Sequence, residues 1–171
     1  MLHDDLPWCM PQLQPSCMPI ASSCGFWNAT LAWMRHKRQW QLTEDWHCML
    51  PDGTPIVIPR GFVSDGASAP RLFWPLMPPA GPLLAPSLIH DFAYRYDYLW
   101  THDGNGGYLK HREGAGRDYW DRLFHELGIE LVGRNLFTLP AHRVMRLLGR
   151  KAWRDKRGRT YPELRPGPRP D

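Results

Sequence analysis

Short runs of apolar residues with a two-residue rhythm dominate the first half of the described pattern, and three- and four-residue spacing dominates the second. Trp46-His-Cys-Met-Leu50 and Pro55-Ile-Val-Ile58 flank Asp52-Gly53. An Asp-Gly pair between two such runs is a turn signal, so Trp40 to Ile58 is expected to form a β-hairpin or small meander. Pro59-Arg-Gly61 stops the second strand, and Phe62-Val63 opens a further one before the loop Ser64-Asp-Gly-Ala-Ser-Ala-Pro-Arg71. From Leu72 to Pro86 the text is apolar and proline-rich, which predicts an ordered loop with a helical turn at Leu72–Leu76.

Helical periodicity starts at Pro86, whose missing N–H suits a first helical turn. Leu88, Ile89, Phe92, Tyr96 and Leu99 share one stripe and predict a helix to about Leu99. Thr101-His-Asp-Gly-Asn-Gly-Gly107 reads as a mobile turn. A second helix is expected from about Ala115 to Leu127, with Trp120, Leu123, Phe124 and Leu127 on one side and Gly128 as its stop. A third covers about Pro140 to Trp153. Gly158 onward, with four more prolines, reads as a disordered tail. The fold class is therefore α+β: a small antiparallel β-sheet over about residues 40–63, then helices.

The organisation follows. Residues 1–35 read as a poorly ordered N-terminal extension, 36–155 as a single α+β domain, and 156–171 as a basic Pro-rich tail. Met34 opens more regular text, so an upstream misassigned start is one expectation. A length of 171 residues fits one domain with a substantial core. The 18 prolines argue for long ordered loops and against a pure helix bundle.

Charge and cysteine usage narrow the picture further. Lys and Arg crowd the chain from Arg134 onward, against only Asp155, Glu163 and Asp171. Such a face could meet nucleic acid, an anionic membrane or an acidic partner, although a solvated face is the simpler expectation. Cys9, Cys17, Cys24 and Cys48 lack Cys-x-x-Cys spacing, which speaks against zinc. No apolar run is long enough to span a membrane. The acidic start and Pro11, Pro15 and Pro19 make a poor signal peptide, so cytoplasmic synthesis is expected, with virion association as the alternative.

The chemistry-bearing residues lie on the first two helices. His90 and Tyr94 are four apart and project from one helix face. Asp91 is turned by about 100° and points to a different partner. Asp121 lies on the second helix; if the helices are antiparallel it reaches a ring nitrogen of His90, fixes the tautomer and makes a competent general base. The plain alternative is a structural His-Asp network. In the Ser64–Arg71 loop, Asp65 and Ser68 either cap local turns or serve chemistry. In the second case Asp65 is a metal ligand with Asp91, Ser68 a substrate contact or weak nucleophile candidate, and Gly66 and Arg71 loop or substrate positions. His102, His111 and His125 lie in loop or surface settings that do not suggest a metal site. The tryptophans are expected to pack the core.

His90-Asp-Phe-Ala-Tyr94 resembles the active-site helix of phospholipases A2, with signature His-Asp-x-Cys-Tyr, and Trp120-Asp-Arg-Leu-Phe124 resembles their Cys-Asp-x-x-Phe helix. The resemblance implies an antiparallel helix pair with His90 as general base, Asp91 as a divalent-cation ligand, and Asp121 orienting His90 with help from Tyr94. Ala93 and Trp120 stand where that family has a disulfide. Its Gly-rich calcium loop has no counterpart beyond Gly66 and Ala80-Gly81-Pro82, so calcium itself is doubtful.

A broader resemblance covers about residues 38 to 130. Pro59-Arg-Gly-Phe-Val-Ser-Asp-Gly-Ala-Ser-Ala-Pro-Arg71, Trp74, Pro78-Pro79, Gly81, His90-Asp91, Tyr94 and Asp121 follow the order of a family of short phage and prophage proteins, domain of unknown function thirteen fifty-three. It implies a phage origin and no established activity. The leading expectation is a small hydrolase of ester or amide bonds, acting on membrane lipid or peptidoglycan. The alternatives are a virion or morphogenesis accessory protein partnered by phage structural proteins, a nucleic-acid binder using the basic C-terminal helix, and a His…His-Asp…Asp phosphohydrolase. The last needs an upstream His on a helix, whereas His47 falls on a predicted strand.

Overall fold

The computed structural model describes residues 10–15, 39–64, 83–132 and 149–167. Two small antiparallel sheets stand beside helices, an α+β arrangement as the pattern predicts. The first sheet joins β1 (Leu13–Pro15), β2 (Trp40–Leu42) and β5 (Val63–Ser64), with β2 in the middle. The second runs β3 (Trp46–Met49), β4 (Pro55–Ile58), β6 (Leu99–His102) and β7 (Tyr108–His111) in that spatial order.

The β3–β4 hairpin forms as its turn chemistry dictates. Gly53 takes φ +80, and Asp52 Oδ1 accepts the Thr54 N–H at 3.0 Å, closing an Asx turn. Register pairs Trp46 with Ile58 and Met49 with Pro55. Central β4 is buried on both faces at Ile56, Val57 and Ile58. Val57 lies opposite Trp100, so those two share a face, while Ile56 shares the other with Thr101.

Helix α1 (Leu84–Tyr96) carries Pro86 in its first turn and buries Leu88, Ile89 and Phe92. It stops earlier than periodicity predicts. Asp97 adopts the left-handed conformation at φ 61, and its N–H bonds Ala93 O at 2.8 Å. The chain then turns into β6, so fully buried Leu99 belongs to a strand. Residues 101–107, expected as a mobile turn, end β6 and form the hairpin into β7. There Asp103 Oδ1 accepts the N–H groups of Asn105 and Gly107.

Helix α2 (Arg117–Val132) runs through Gly128, which was expected to end it. Buried Leu127 and partly buried Leu131 pack on the core from either side of that glycine, and their burial outweighs a mid-helix glycine cost of about 1 kcal/mol. The two helices are antiparallel. Residues 116 and 120, at the start of α2, bond Asp97 at the end of α1, and later residues of α2 meet earlier ones of α1.

The C-terminal stretch also departs from expectation. Residues 149–157 are helical, and 158–167 form a strap rather than a disordered tail. Tyr96 Oη donates to Pro162 O at 3.0 Å, Trp100 Nε1 to Leu164 O at 2.9 Å, and Tyr98 Oη to Glu163 Oε1 at 3.2 Å. Gly167 N–H reaches Asp45 Oδ2 at 2.6 Å. Prolines favour such an extended path, and two of its carbonyls accept from the aromatic donors Tyr96 and Trp100. At the other end, residues 10–15 of the expected extension supply β1, which pairs with β2. The rest of that extension, the Leu72–Leu76 turn and most of the third predicted helix lie outside the described residues.

Candidate functional site

The site grows from the contact between α1 and α2. Leu88, Ile89 and Phe92 fix one side of α1 in the core, which turns His90 and Tyr94 toward α2. Trp120, Leu123 and Leu127 anchor α2 in the same core and bring Asp121 to face them. His90 Nε2 lies 3.0 Å from Asp121 Oδ1, and Tyr94 Oη donates to the same oxygen. The His90 and Tyr94 rings are tilted at a centroid distance of 4.0 Å, and Phe124 packs edge-on against the imidazole at 5.3 Å. Asp121 Oδ2 accepts no hydrogen bond among the described residues and faces Arg117 Nη1 at 3.9 Å.

Burial sets the electrostatics. His90 is 7% exposed and Asp121 4%. Desolvation holds the His90 imidazole below its ordinary range and outweighs the opposing pull of Asp121, so the ring is neutral at neutral pH. Burial raises the Asp121 carboxyl, but hydrogen bonds from His90 and Tyr94 overcome it and keep the group in its carboxylate form. The Tyr94 phenol is pushed up, by burial first and then by Asp121, so it stays a donor.

Asp91 faces other partners, as its rotation on the helix requires. Ser64 Oγ donates to Oδ2 at 2.5 Å, and Lys156 Nζ donates to Oδ1 at 2.7 Å. Ser64 is the last residue of β5. The helical stretch 149–157 forms a third wall. Trp153 meets the Tyr94 ring edge-on at 5.1 Å, and a Cβ on Gly149 would stand 2.8 Å from Tyr94 Oη.

Of the residues singled out from the sequence, His90, Tyr94 and Asp121 meet in one cluster, and Asp91 sits beside it with partners of its own. Asp65, Gly66, Ser68 and Arg71 lie outside the described residues. Sequence reasoning missed Ser64, Arg117, Gly149, Trp153 and Lys156. A helical spacing of four and three between Gly149, Trp153 and Lys156 was the available signal, because it places all three on one face. His47 and His102 stack with centroids 5.5 Å apart, on β3 and β6. Among the described residues no group of three or more His, Cys, Asp or Glu could hold a metal ion. Cys48 is a free thiol, whose pKa burial pushes up. No described helix is long and apolar enough to cross a membrane.

A family model described as a protein of unknown function (DUF1353) matches residues 40–136, more than half of the chain. No curated protein and no solved structure matches.

Proposed function

The chain belongs to the family of proteins of unknown function DUF1353, and from that premise we propose a phage- or prophage-encoded hydrolase of ester or amide bonds. One observation carries the reading: a single carboxylate oxygen of Asp121 receives both His90 Nε2 and Tyr94 Oη. An ionised carboxylate only accepts, so Nε2 carries the ring proton and Nδ1 keeps the lone pair. A neutral imidazole in that tautomer is a general base for water.

The chemistry balances as follows. Water oxygen bonds to the substrate carbonyl carbon, the carbonyl π pair moves to its oxygen, and the water proton passes to Nδ1. The oxyanion then re-forms the carbonyl, the bond to the leaving group breaks, and that group takes the proton back from His90. Asp121 stabilises the transient imidazolium, and Tyr94 holds Asp121 in place. Membrane lipid and peptidoglycan are the substrate classes for this reading.

The test compares the full chain with His90→Ala on p-nitrophenyl esters, phospholipid vesicles and peptidoglycan. A loss of about 10²–10⁴-fold is expected. Equal rates for the two proteins on all three would end the enzymatic reading.

The low exposure of His90 and Asp121 favours a second reading. In it the protein is a virion or morphogenesis accessory factor, and the cluster is a buried polar network that locks α1 to α2. This reading expects His90→Ala to lower the melting temperature strongly, and the protein to copurify with phage particles.

A further inference from the structure

We infer that Lys156 is the resident cation of this site: its ammonium holds the place beside Asp91 that a divalent ion would take. Its chemical consequence rests on the hydrolytic reading; its geometry does not. Asp91 is buried, and each of its oxygens already has a donor, Lys156 Nζ on Oδ1 at 2.7 Å and Ser64 Oγ on Oδ2 at 2.5 Å. A divalent ion needs several oxygen ligands and an open face on each carboxylate. An ammonium in hydrogen-bonding contact closes that face and repels a second cation. Asp91 as it stands therefore does not fit a metal.

Lys156 is placed there by a constructed support, not by a loose side chain. Gly149, Trp153 and Lys156 line one face of the helical stretch 149–157, and all three meet Tyr94. A Cβ on Gly149 would touch the Tyr94 hydroxyl, the Trp153 ring stands edge-on at 5.1 Å, and Lys156 Nζ lies 5.9 Å from the Tyr94 ring centroid. The strap that follows is tied to Tyr96, Trp100 and Asp45. This support lies beyond the family-matched residues 40–136, so the chain brings its cation from outside the shared segment. In the hydrolytic reading, the fixed ammonium is the charge that meets the oxyanion formed when water adds to the carbonyl.

The test reads melting midpoints of the full chain at matched ionic strength, in EDTA, CaCl2, MgCl2 or MnCl2, together with p-nitrophenyl ester hydrolysis. The wild-type midpoint is expected to be the same in all four. Lys156→Met is expected to lose about 5–10 °C, because it takes the ammonium away from a buried carboxylate. Part of that loss should return with a divalent salt, which can now bind Asp91. Asp91→Asn combined with Lys156→Met should recover the midpoint and lose the salt response. Lys156→Met should also lower kcat by about 10²-fold, with Lys156→Arg intermediate.

A wild-type midpoint that rises in a divalent salt or falls in EDTA overturns the inference, as does a Lys156→Met midpoint equal to wild type. An unchanged kcat in Lys156→Met, where His90→Ala is inactive, removes the chemical role and leaves the hydrolytic reading intact. If His90→Ala and wild type hydrolyse alike, that reading fails, while the midpoints still decide what Asp91 holds.

Discussion

Asp97 and Asp121 are both buried and both tie α1 to α2, yet they are built from different chemistry. Asp97 Oδ1 accepts Trp120 Nε1 at 2.7 Å and the Gly116 N–H at 3.0 Å, two donors that do not titrate in the ordinary pH range. Asp121 Oδ1 accepts from an imidazole, a group that exchanges protons, and from a phenol, and its second oxygen looks toward an arginine at 3.9 Å. The first arrangement does everything needed to fix one helix end against another. The contrast is the physical ground on which the hydrolytic reading proposes chemistry at Asp121 and a structural role at Asp97.

The widest separation should come from isosteric changes. Asp121→Asn is expected to lower hydrolysis by about 10²–10⁴-fold, because an amide cannot stabilise imidazolium and can reverse the tautomer. Asp97→Asn keeps an acceptor for Trp120 and tolerates the left-handed backbone, so its rates should match wild type. Equal losses in the two variants would erase the distinction. Asp97→Ala should reverse the order in thermal melts. It strands two donors, each at a cost of about 1–3 kcal/mol, while the His90–Tyr94–Asp121 cluster keeps its parts.

A smaller effect is expected at Gly149. Its would-be Cβ stands 2.8 Å from Tyr94 Oη, so Gly149→Ala must push the phenol off Asp121 or shift the helical stretch. A destabilisation of about 1–3 kcal/mol in urea unfolding is expected, with a lowered kcat that Asp97 variants do not share.

The smallest effect is in pH. The folded pKa of His90 lies below 6.5, so as pH falls through 6.5 the unfolded chain binds a proton that the folded chain refuses. Stability should therefore decline below about pH 6.5. His90→Gln should flatten that decline, and His111→Gln should remove a separate share, since burial also lowers His111. Asp121 acts later. Its folded pKa is depressed, so its contribution is present above 3.8 and is lost as pH falls through the folded value. A melting profile from pH 8 to 4 that is identical in His90→Gln and wild type would show that His90 is not the buried titrating group.

Local chemistry made some features readable in advance and hid others. Asp52-Gly53 announced its hairpin because the turn is satisfied by its own residues. The β6–β7 hairpin stayed hidden because Leu99 also continues the helical stripe, and the residue that stops α1 in the left-handed conformation is an Asp rather than a Gly. Gly128 looked like a helix end but is carried through by the packing of Leu127 and Leu131. The strap looked disordered because its prolines and charges outnumber its apolar residues. Tyr161, which meets Tyr96 and Arg95, and Leu164, which packs on the core, were the signs that it has somewhere to dock.

The meeting of His90, Tyr94 and Asp121 was legible on condition of an antiparallel helix pair, because helical spacing and two apolar stripes aim three side chains at one seam. The amino-acid order determined those helix faces alone. Which charge faces Asp91 was decided only by tertiary structure. Lys156 reaches it across 65 residues, and no local period connects them. Periodicity encodes which face of a helix is buried; it carries no information on which distant segment will be laid against that face. The choice depends on a strap held by aromatic donors and by Asp45 at the far edge of the fold.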